Sequence, residues 1–400
     1  MSLNHVPSAE RIHIGFFGMC NAGKSSLVNA VTGQSLSVVS DVKGTTTDPV
    51  KKAMELLPLG PVVILDTPGL DDEGELGRLR VDKARQMLAQ TNIAVLVADA
   101  QSGLGDMDRW LLQELKERKI PFLIAFTKAD LAADHPASGE SVLYVSAVTG
   151  EGVNELKEKL GQFAKQLENP RVLVRDLLSP GDLVVLVTPI DEAAPKGRLI
   201  LPQQMVLRDI LDAHAMAVVC QDTELKDTLS ALGRKPRMVI TDSQAFAAVA
   251  KDTPADIPLT SFSILMARYK GELTSLVRGF SALSRLQDGD RVLISEGCTH
   301  HRQCKDIGTV KMPGWIGQFS KAKPEYHFTS GGEFPQDLSP YRVVVHCGAC
   351  MLNEAEMKHR VSLAAQANVP MVNYGVAIAG MHGILQRSLE LFPDLLALLA

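Results

Sequence analysis

No stretch of this chain stays apolar for the ~18 residues a membrane span requires. The run Leu183 to Ile190 is typical of its longest, so no membrane association is expected. Basic blocks are missing as well. Lys and Arg total 41 against 46 Asp and Glu, a net charge of −5, and no large nucleic-acid footprint is expected from that balance. The polar stretch Met1 to Arg11 lacks a signal-peptide core, which makes a cytoplasmic protein the expectation. Cysteine is scarce: six in 400 residues are too few for a disulfide scaffold. Short-period repeats and low-complexity tracts are absent from the sequence. Disorder is excluded for most of the chain, because 46% of the residues are hydrophobic and can build real cores.

What is present reads as α/β throughout. The length predicts two or three domains, and the pattern divides into three: 1–170, 171–262 and 263–400. In the first, apolar strands at Ile12–Phe17, Val62–Asp66, Ile93–Ala98, Pro121–Phe126 and Val142–Val145 alternate with helical stretches such as Lys24–Val31 and Asp106–Arg118. That alternation marks βαβ units and a mostly parallel sheet. The second has strands at Leu183–Val187, Ala217–Cys220 and Met238–Ile240, with helices near Gln203–Ala213, Thr223–Leu232 and Ser243–Ala250. The third opens on a helix near Ile264–Leu286. Strands at Val292–Ser295, Arg342–His346 and Pro370–Asn373 and a helix at Glu354–Ala367 follow. The Gly/Pro-rich stretch Gly308 to Pro340 is long enough for a lid or functional insertion, or for a packed loop. The apolar C-terminal stretch Ile384–Leu399 is read as core.

Gly18-Met19-Cys20-Asn21-Ala22-Gly23-Lys24-Ser25-Ser26 contains G-x-x-x-x-G-K-S, after a strand and opening a helix. Its glycines let the backbone curl around a phosphate with the N–H groups pointing inward, and the helix N-terminus favours the anion. Lys24 would reach the β- and γ-phosphates, and Ser25 would ligate magnesium. Asp66, ending a strand in Asp66-Thr67-Pro68-Gly69, can hold magnesium through water, and the Gly69 N–H can meet a γ-phosphate. In Thr127-Lys128-Ala129-Asp130 the Asp130 carboxylate can accept two hydrogen bonds from guanine, a donor pair adenine lacks. A backbone N–H of Ser146-Ala147 could bind guanine O6. Cys20 is read as a small filler of the loop.

Four signals at successive strand ends, in this order, resemble a translation-factor-type small GTPase domain. Gly44-Thr45-Thr46-Thr47-Asp48 matches the Gly-Thr-Thr-x-Asp pattern of its Era- and TrmE-like subgroup. That match implies Thr46 as a further magnesium ligand, with Thr45 next. Asn21 also matches the subgroup, which implies a potassium ion supplying positive charge in catalysis. Two positions depart from the wider pattern. Leu70 stands where Ras-like enzymes carry a water-orienting Gln, so hydrolysis is expected to be slow or to use another group, with Asp71, Asp72, Glu73 and Glu75 as candidates. Thr127 replaces the commoner Asn.

Cys298-Thr299-His300 follows one strand of the third block, and His346-Cys347-Gly348-Ala349-Cys350 ends another. Both lie at carboxyl ends of strands, where α/β sheets build ligand sites. Three thiols with His300, His301 or His346 make a soft site that suits zinc or an iron–sulfur cluster, and spacing alone does not separate the two. Cys220, ending a strand without a partner in sequence, is read as core.

The order of GTPase motifs, C-x-H and then H-C-x-x-C resembles the FeFe-hydrogenase maturation GTPases, the HydF family, over the whole chain. The resemblance implies a GTPase domain, a dimerisation domain and an iron–sulfur domain in a homodimer. Cys298, Cys347 and Cys350 would hold a 4Fe–4S cluster, with a labile fourth position open to His300 or His346. The cofactors would be GTP, Mg2+, K+ and the cluster. The protein would carry a two-iron subcluster precursor from radical-SAM maturases to apo FeFe-hydrogenase. The competing class is an RNA-modification or ribosome-assembly GTPase with a structural zinc domain. It needs a basic or aromatic RNA surface, which the acidic balance disfavours.

Overall fold

Strand β1 (Ile12–Gly18) lies at the middle of a six-stranded sheet with β2 (Val50–Leu56), β3 (Gly60–Asp66), β4 (Ile93–Asp99), β5 (Phe122–Thr127) and β6 (Val142–Tyr144). The order is β2-β3-β1-β4-β5-β6, with β2 antiparallel to β3 and every other pair parallel. Successive side chains of β1 go to opposite faces. Phe16 joins a core with Val95, Val97 and Leu27, while Phe17 joins another with Leu65, Leu96 and Leu111. A strand buried on both faces reads as a continuous apolar run, which is why β4 was legible.

The computed structural model describes residues 7–35, 50–67, 69, 74–132, 136–167, 171–189, 199–298 and 306–398, without the side chains of 50 and 74–80. Two compact units divide the chain near residue 170. The second unit holds two four-stranded sheets, parallel throughout. One orders β7 (Leu183–Val187), β8 (Met216–Cys220), β9 (Met238–Thr241) and β10 (Leu259–Ser261) as β10-β9-β7-β8. The other orders β11 (Arg291–Glu296), β12 (Glu325–Ser330), β13 (Val343–His346) and β14 (Met371–Asn373) as β12-β11-β13-β14. Val185 and Val239 of the first share a core with Val292 and Val344 of the second. The helix Phe262–Tyr269 packs between them, and its N-terminus is capped by Ser261, whose Oγ accepts from the Ile264 N–H at 3.2 Å.

Several expectations need correction. The single helix expected over 264–286 is three elements, Phe262–Tyr269, Leu273–Gly279 and a 3-10 turn Phe280–Arg285, broken where Gly271 takes φ +82°. Three strands were not foreseen. β2 and β12 are edge strands rich in polar residues, and β10 has only three residues. The stretch 308–340 is not a lid. It contains the helix Met312–Ser320 and β12, the crossover that a parallel β11–β12 pair demands. Leu385 and Leu389 of the C-terminal stretch are buried, and so is Cys220. Among the described residues no helix is long and apolar enough to cross a membrane.

Candidate functional site

The loop after β1 delivers the chain into the helix Lys24–Thr32 through Gly23, at φ +79°. Asn21 is exposed, Ala22 buried, and Ser25 and Ser26 half-buried at the helix start. Lys24 is buried, and its Nζ stands 3.9 Å from Asp66 Oδ1 at the end of β3. Gly69 lies so close to the loop that a Cβ there would come within 2.4 Å of Cys20 Sγ. Only glycine fits, and Cys20 is what it fits against. The strand order therefore gathers the phosphate-loop lysine, Asp66 and Gly69 at one end of the sheet.

The residues expected to recognise the base lie at the same end of the sheet. Thr127 Oγ1 lies 2.5 Å from the Ala22 carbonyl and 3.1 Å from that of Ala98, tying the phosphate loop to β4 and β5. Here the threonine that replaces the commoner Asn has a visible structural use. Lys128 donates to Asp99 Oδ2 at 2.7 Å. Burial works against charge on Asp99, but hydrogen bonds from Lys128 and from the Gln101 N–H outweigh it and hold the carboxyl below its ordinary range. Asp130 is exposed in the turn Ala129–Leu131. Ser146 is fully buried, and its Oγ accepts from the N–H groups of Val148 and Thr149, which folds the turn that presents Ala147. Thr45, Thr46, Leu70, Asp71, Asp72 and Glu73 lie outside the described residues, as does the Glu75 side chain.

The second site lies at the carboxyl ends of β11 and β13, where the register pairs Ser295 with His346. Cys347 N–H donates to the Ser295 carbonyl at 3.0 Å. Its Sγ accepts from the N–H groups of Gly297 at 3.1 Å and Ala349 at 3.4 Å. Burial pushes the Cys347 thiol up to about 12, and the neighbouring Cys350 and Cys298 add to it. Cys350 is raised by burial as well. None of the three is in a disulfide.

A thiol raised in this way ionises more readily beside a cation. A metal-bearing core supplies that charge, and two N–H groups already point at Cys347 Sγ. By the chemistry of these donors, Cys298, Cys347 and Cys350 are the residues that would hold an iron–sulfur cluster. Among the described residues, no three His, Cys, Asp or Glu side chains are drawn closely enough together to hold a metal ion. Cys298 adjoins residues 299–305, which include His300 and His301 and lie outside the described ones.

His346 is fully buried, and both ring nitrogens are engaged: Nδ1 with the Cys347 carbonyl at 2.9 Å and Nε2 with Arg360 Nη1 at 3.0 Å. A guanidinium only donates, so Nε2 accepts and Nδ1 carries the proton. As a fourth ligand His346 would have to give up one of these bonds. Sequence reasoning missed Arg360, which is 1% exposed, donates to the Gly331 carbonyl and lies over the Phe334 ring at 4.9 Å. Its signal was its place on the core stripe of its helix, three residues after buried Met357 and four before buried Ala364. It also missed Tyr374, whose hydroxyl donates to the buried Glu296 at the end of β11 at 3.2 Å.

The mostly parallel sheet, its phosphate loop and the strand-end residues define a P-loop GTPase domain, joined here to two small parallel α/β sheets. Models of three families match the chain: a 50S ribosome-binding GTPase over 13–128, the hydrogen maturase F dimerization domain over 173–271, and the hydrogen maturase F tetramerization domain over 274–391. The chain belongs to the hydrogen maturase F (HydF) family. Among curated proteins it is 32% identical to the tRNA modification GTPase MnmE of Nitrosomonas europaea over 156 residues, which is 38% of this chain and 34% of that protein. For MnmE of a Synechococcus strain the identity is 35% over 162 residues, 39% of this chain and 34% of that protein. The chain thus spans about a third of the length of these relatives. Among solved structures, the G domain of the Thermotoga maritima FeoB iron transporter aligns at 28% identity and TM-score 0.30, covering 39% of this chain and 99% of that one. Aquifex aeolicus Era bound to GDP and aluminium fluoride aligns at 20% identity and TM-score 0.35, covering 52% and 92%.

Proposed function

We propose that this protein is a GTP-hydrolysing scaffold of FeFe-hydrogenase maturation that holds a 4Fe–4S cluster and passes a two-iron precursor to the apo-enzyme. One observation carries the reading. A single chain joins a phosphate loop, with Lys24 facing Asp66, to a strand end where the Cys347 sulfur accepts from two N–H groups, three residues before Cys350. Membership of the HydF family supports it.

In the GTPase domain Lys24 would neutralise the β- and γ-phosphates. Ser25, Thr46 and Asp66 would hold Mg2+, and the Gly69 N–H would meet the γ-phosphate. Asp130 would select guanine, with Lys128 and the Ser146–Ala147 turn beside it. Asn21 would contribute to a K+ site, and turnover would be slow. In the second site Cys298, Cys347 and Cys350 would bind the cluster. When bound, the cluster supplies an iron position without a thiolate, where a weakly held ligand exchanges. The chain's own part would be to hold the three half-buried cysteines and donate two N–H bonds to the Cys347 sulfur. Self-association, named in both HydF domain models, would make the working form a homodimer or larger. Radical-SAM maturases and apo-hydrogenase would be the partners, and the cytoplasm the compartment.

The test is anaerobic reconstitution with iron and sulfide, metal analysis and EPR of the reduced protein. A 4Fe–4S signal lost in Cys298→Ser, Cys347→Ser and Cys350→Ser, together with loss of hydrogenase maturation, is the expected result. Stoichiometric zinc without iron uptake, or full maturation by any of the three variants, would refute the scaffold.

A further inference from the structure

Burying a lysine costs several kcal/mol unless its charge is compensated. Lys270 is 1% exposed. The local sequence fixes its place. The helix Phe262–Tyr269 closes with the Glu272 N–H on the Ala267 carbonyl at 3.0 Å and the Gly271 N–H on that of Arg268 at 2.9 Å. This double bond pattern, with left-handed Gly271, makes Lys270 the C-terminal cap. The exposed carbonyls of a helix end favour a cation there. Lys270 Nζ also stands 5.5 Å from the centre of the Tyr269 ring.

The side chain lines a small cavity, with room for about one water-sized molecule, together with Glu272, Cys347, Gly348 and Asn373. The Glu272 carboxyl is itself raised by burial, and the charge that acts on it is Lys358. A buried cation in a cavity walled by Cys347 belongs electrostatically to the thiol site. A 4Fe–4S core held by three thiolates carries net negative charge, and one-electron reduction adds to it. Net charge around a cluster is among the factors that set its potential.

We propose that Lys270 is a positioning residue for the cluster: a fixed buried cation beside Cys347 that offsets the cluster's negative charge and raises its reduction potential. This rests on the reading that Cys298, Cys347 and Cys350 hold a 4Fe–4S cluster.

The experiment compares full-length wild type, Lys270→Met and Lys270→Gln after anaerobic reconstitution. It reads iron and sulfide per chain, the EPR spectrum and the midpoint potential by dye-mediated titration. Both variants should bind wild-type amounts of iron, with the midpoint moved to more negative potential and altered g-values. Variants with wild-type iron and an unchanged midpoint would overturn the proposal. A second measurement needs no substitution. In wild type labelled with 15N at the lysine side chains, electron–nuclear double resonance of the reduced cluster should show a 15N coupling, and its absence would overturn the proposal even if both variants misfold. Failure of the wild type itself to take up iron would instead refute the cluster reading, and the proposal with it.

Discussion

Arg360 Nη1 stands 3.0 Å from His346 Nε2, in a buried pair directly behind the first cysteine of the H-C-x-x-C group. The contact gives the histidine a fixed neutral tautomer. It also makes the arginine the brace of the strand end from which Cys347 projects.

Arg360→Met should therefore destabilise the protein by about 3 kcal/mol, because it strips buried acceptors of a charged donor. Urea unfolding followed by circular dichroism measures this. His346→Gln should keep wild-type iron and an unshifted EPR spectrum, since the ring nitrogens are committed to Arg360 and the Cys347 carbonyl. Loss of the cluster in that variant, with the fold intact, would identify His346 as a ligand.

Thr127→Val removes the hydroxyl that meets the Ala22 carbonyl and keeps the shape. A lost hydrogen bond of this kind is worth about 1 kcal/mol, so GTP affinity should fall by about fivefold. Titration with a fluorescent GTP analogue gives the answer.

Lys24→Ala should abolish phosphate release while iron per chain after reconstitution stays at the wild-type level. A variant that also loses its iron would contradict independent assembly of the two sites.

Asp130→Asn should weaken the preference for GTP over xanthosine triphosphate by roughly ten- to hundredfold, the value of a hydrogen bond to a charged group. Competition binding with the two nucleotides decides it.

Arg268 makes two hydrogen bonds to Asp176, at 2.9 and 2.5 Å, and these hold the Asp176 carboxyl below its ordinary range. A depressed carboxyl stabilises the fold above its unfolded value, and the contribution disappears as pH falls through the folded one. Below about pH 4, stability should drop faster in wild type than in Arg268→Met. The difference should be about 1 kcal/mol or less, because the pair is partly solvated. Urea midpoints measured between neutral and acid pH test it.

Much of this was legible in the sequence, and the pattern of success has a physical basis. β4 and β7 declared themselves because both their faces are buried. The phosphate loop did so because its backbone geometry permits few residue types. β2 and β12 were opaque: an edge strand has a solvent side, so Lys51, Lys52 and Glu325 can occupy it without a hydrophobic pattern. The break at Gly271 was hidden inside a stretch that stays apolar on both sides. Lys270 and Arg360 were invisible for a different reason. Arg360 is held by His346 and Gly331, distant in sequence, Lys270 is buried at the end of its own helix, and neither belongs to a motif.

The two halves of the thiol site are brought together by strand register alone, Ser295 opposite His346. Until β13 has docked beside β11, the chain offers only the pair Cys347 and Cys350, with Cys298 tethered by a loop of nearly fifty residues. Pairing so distant is slow to form and comes after local structure. The three-cysteine site is thus a late product of folding. A ribosome-bound or half-folded chain would lack the assembled three-cysteine site, so the iron capture proposed above would await a finished third sheet.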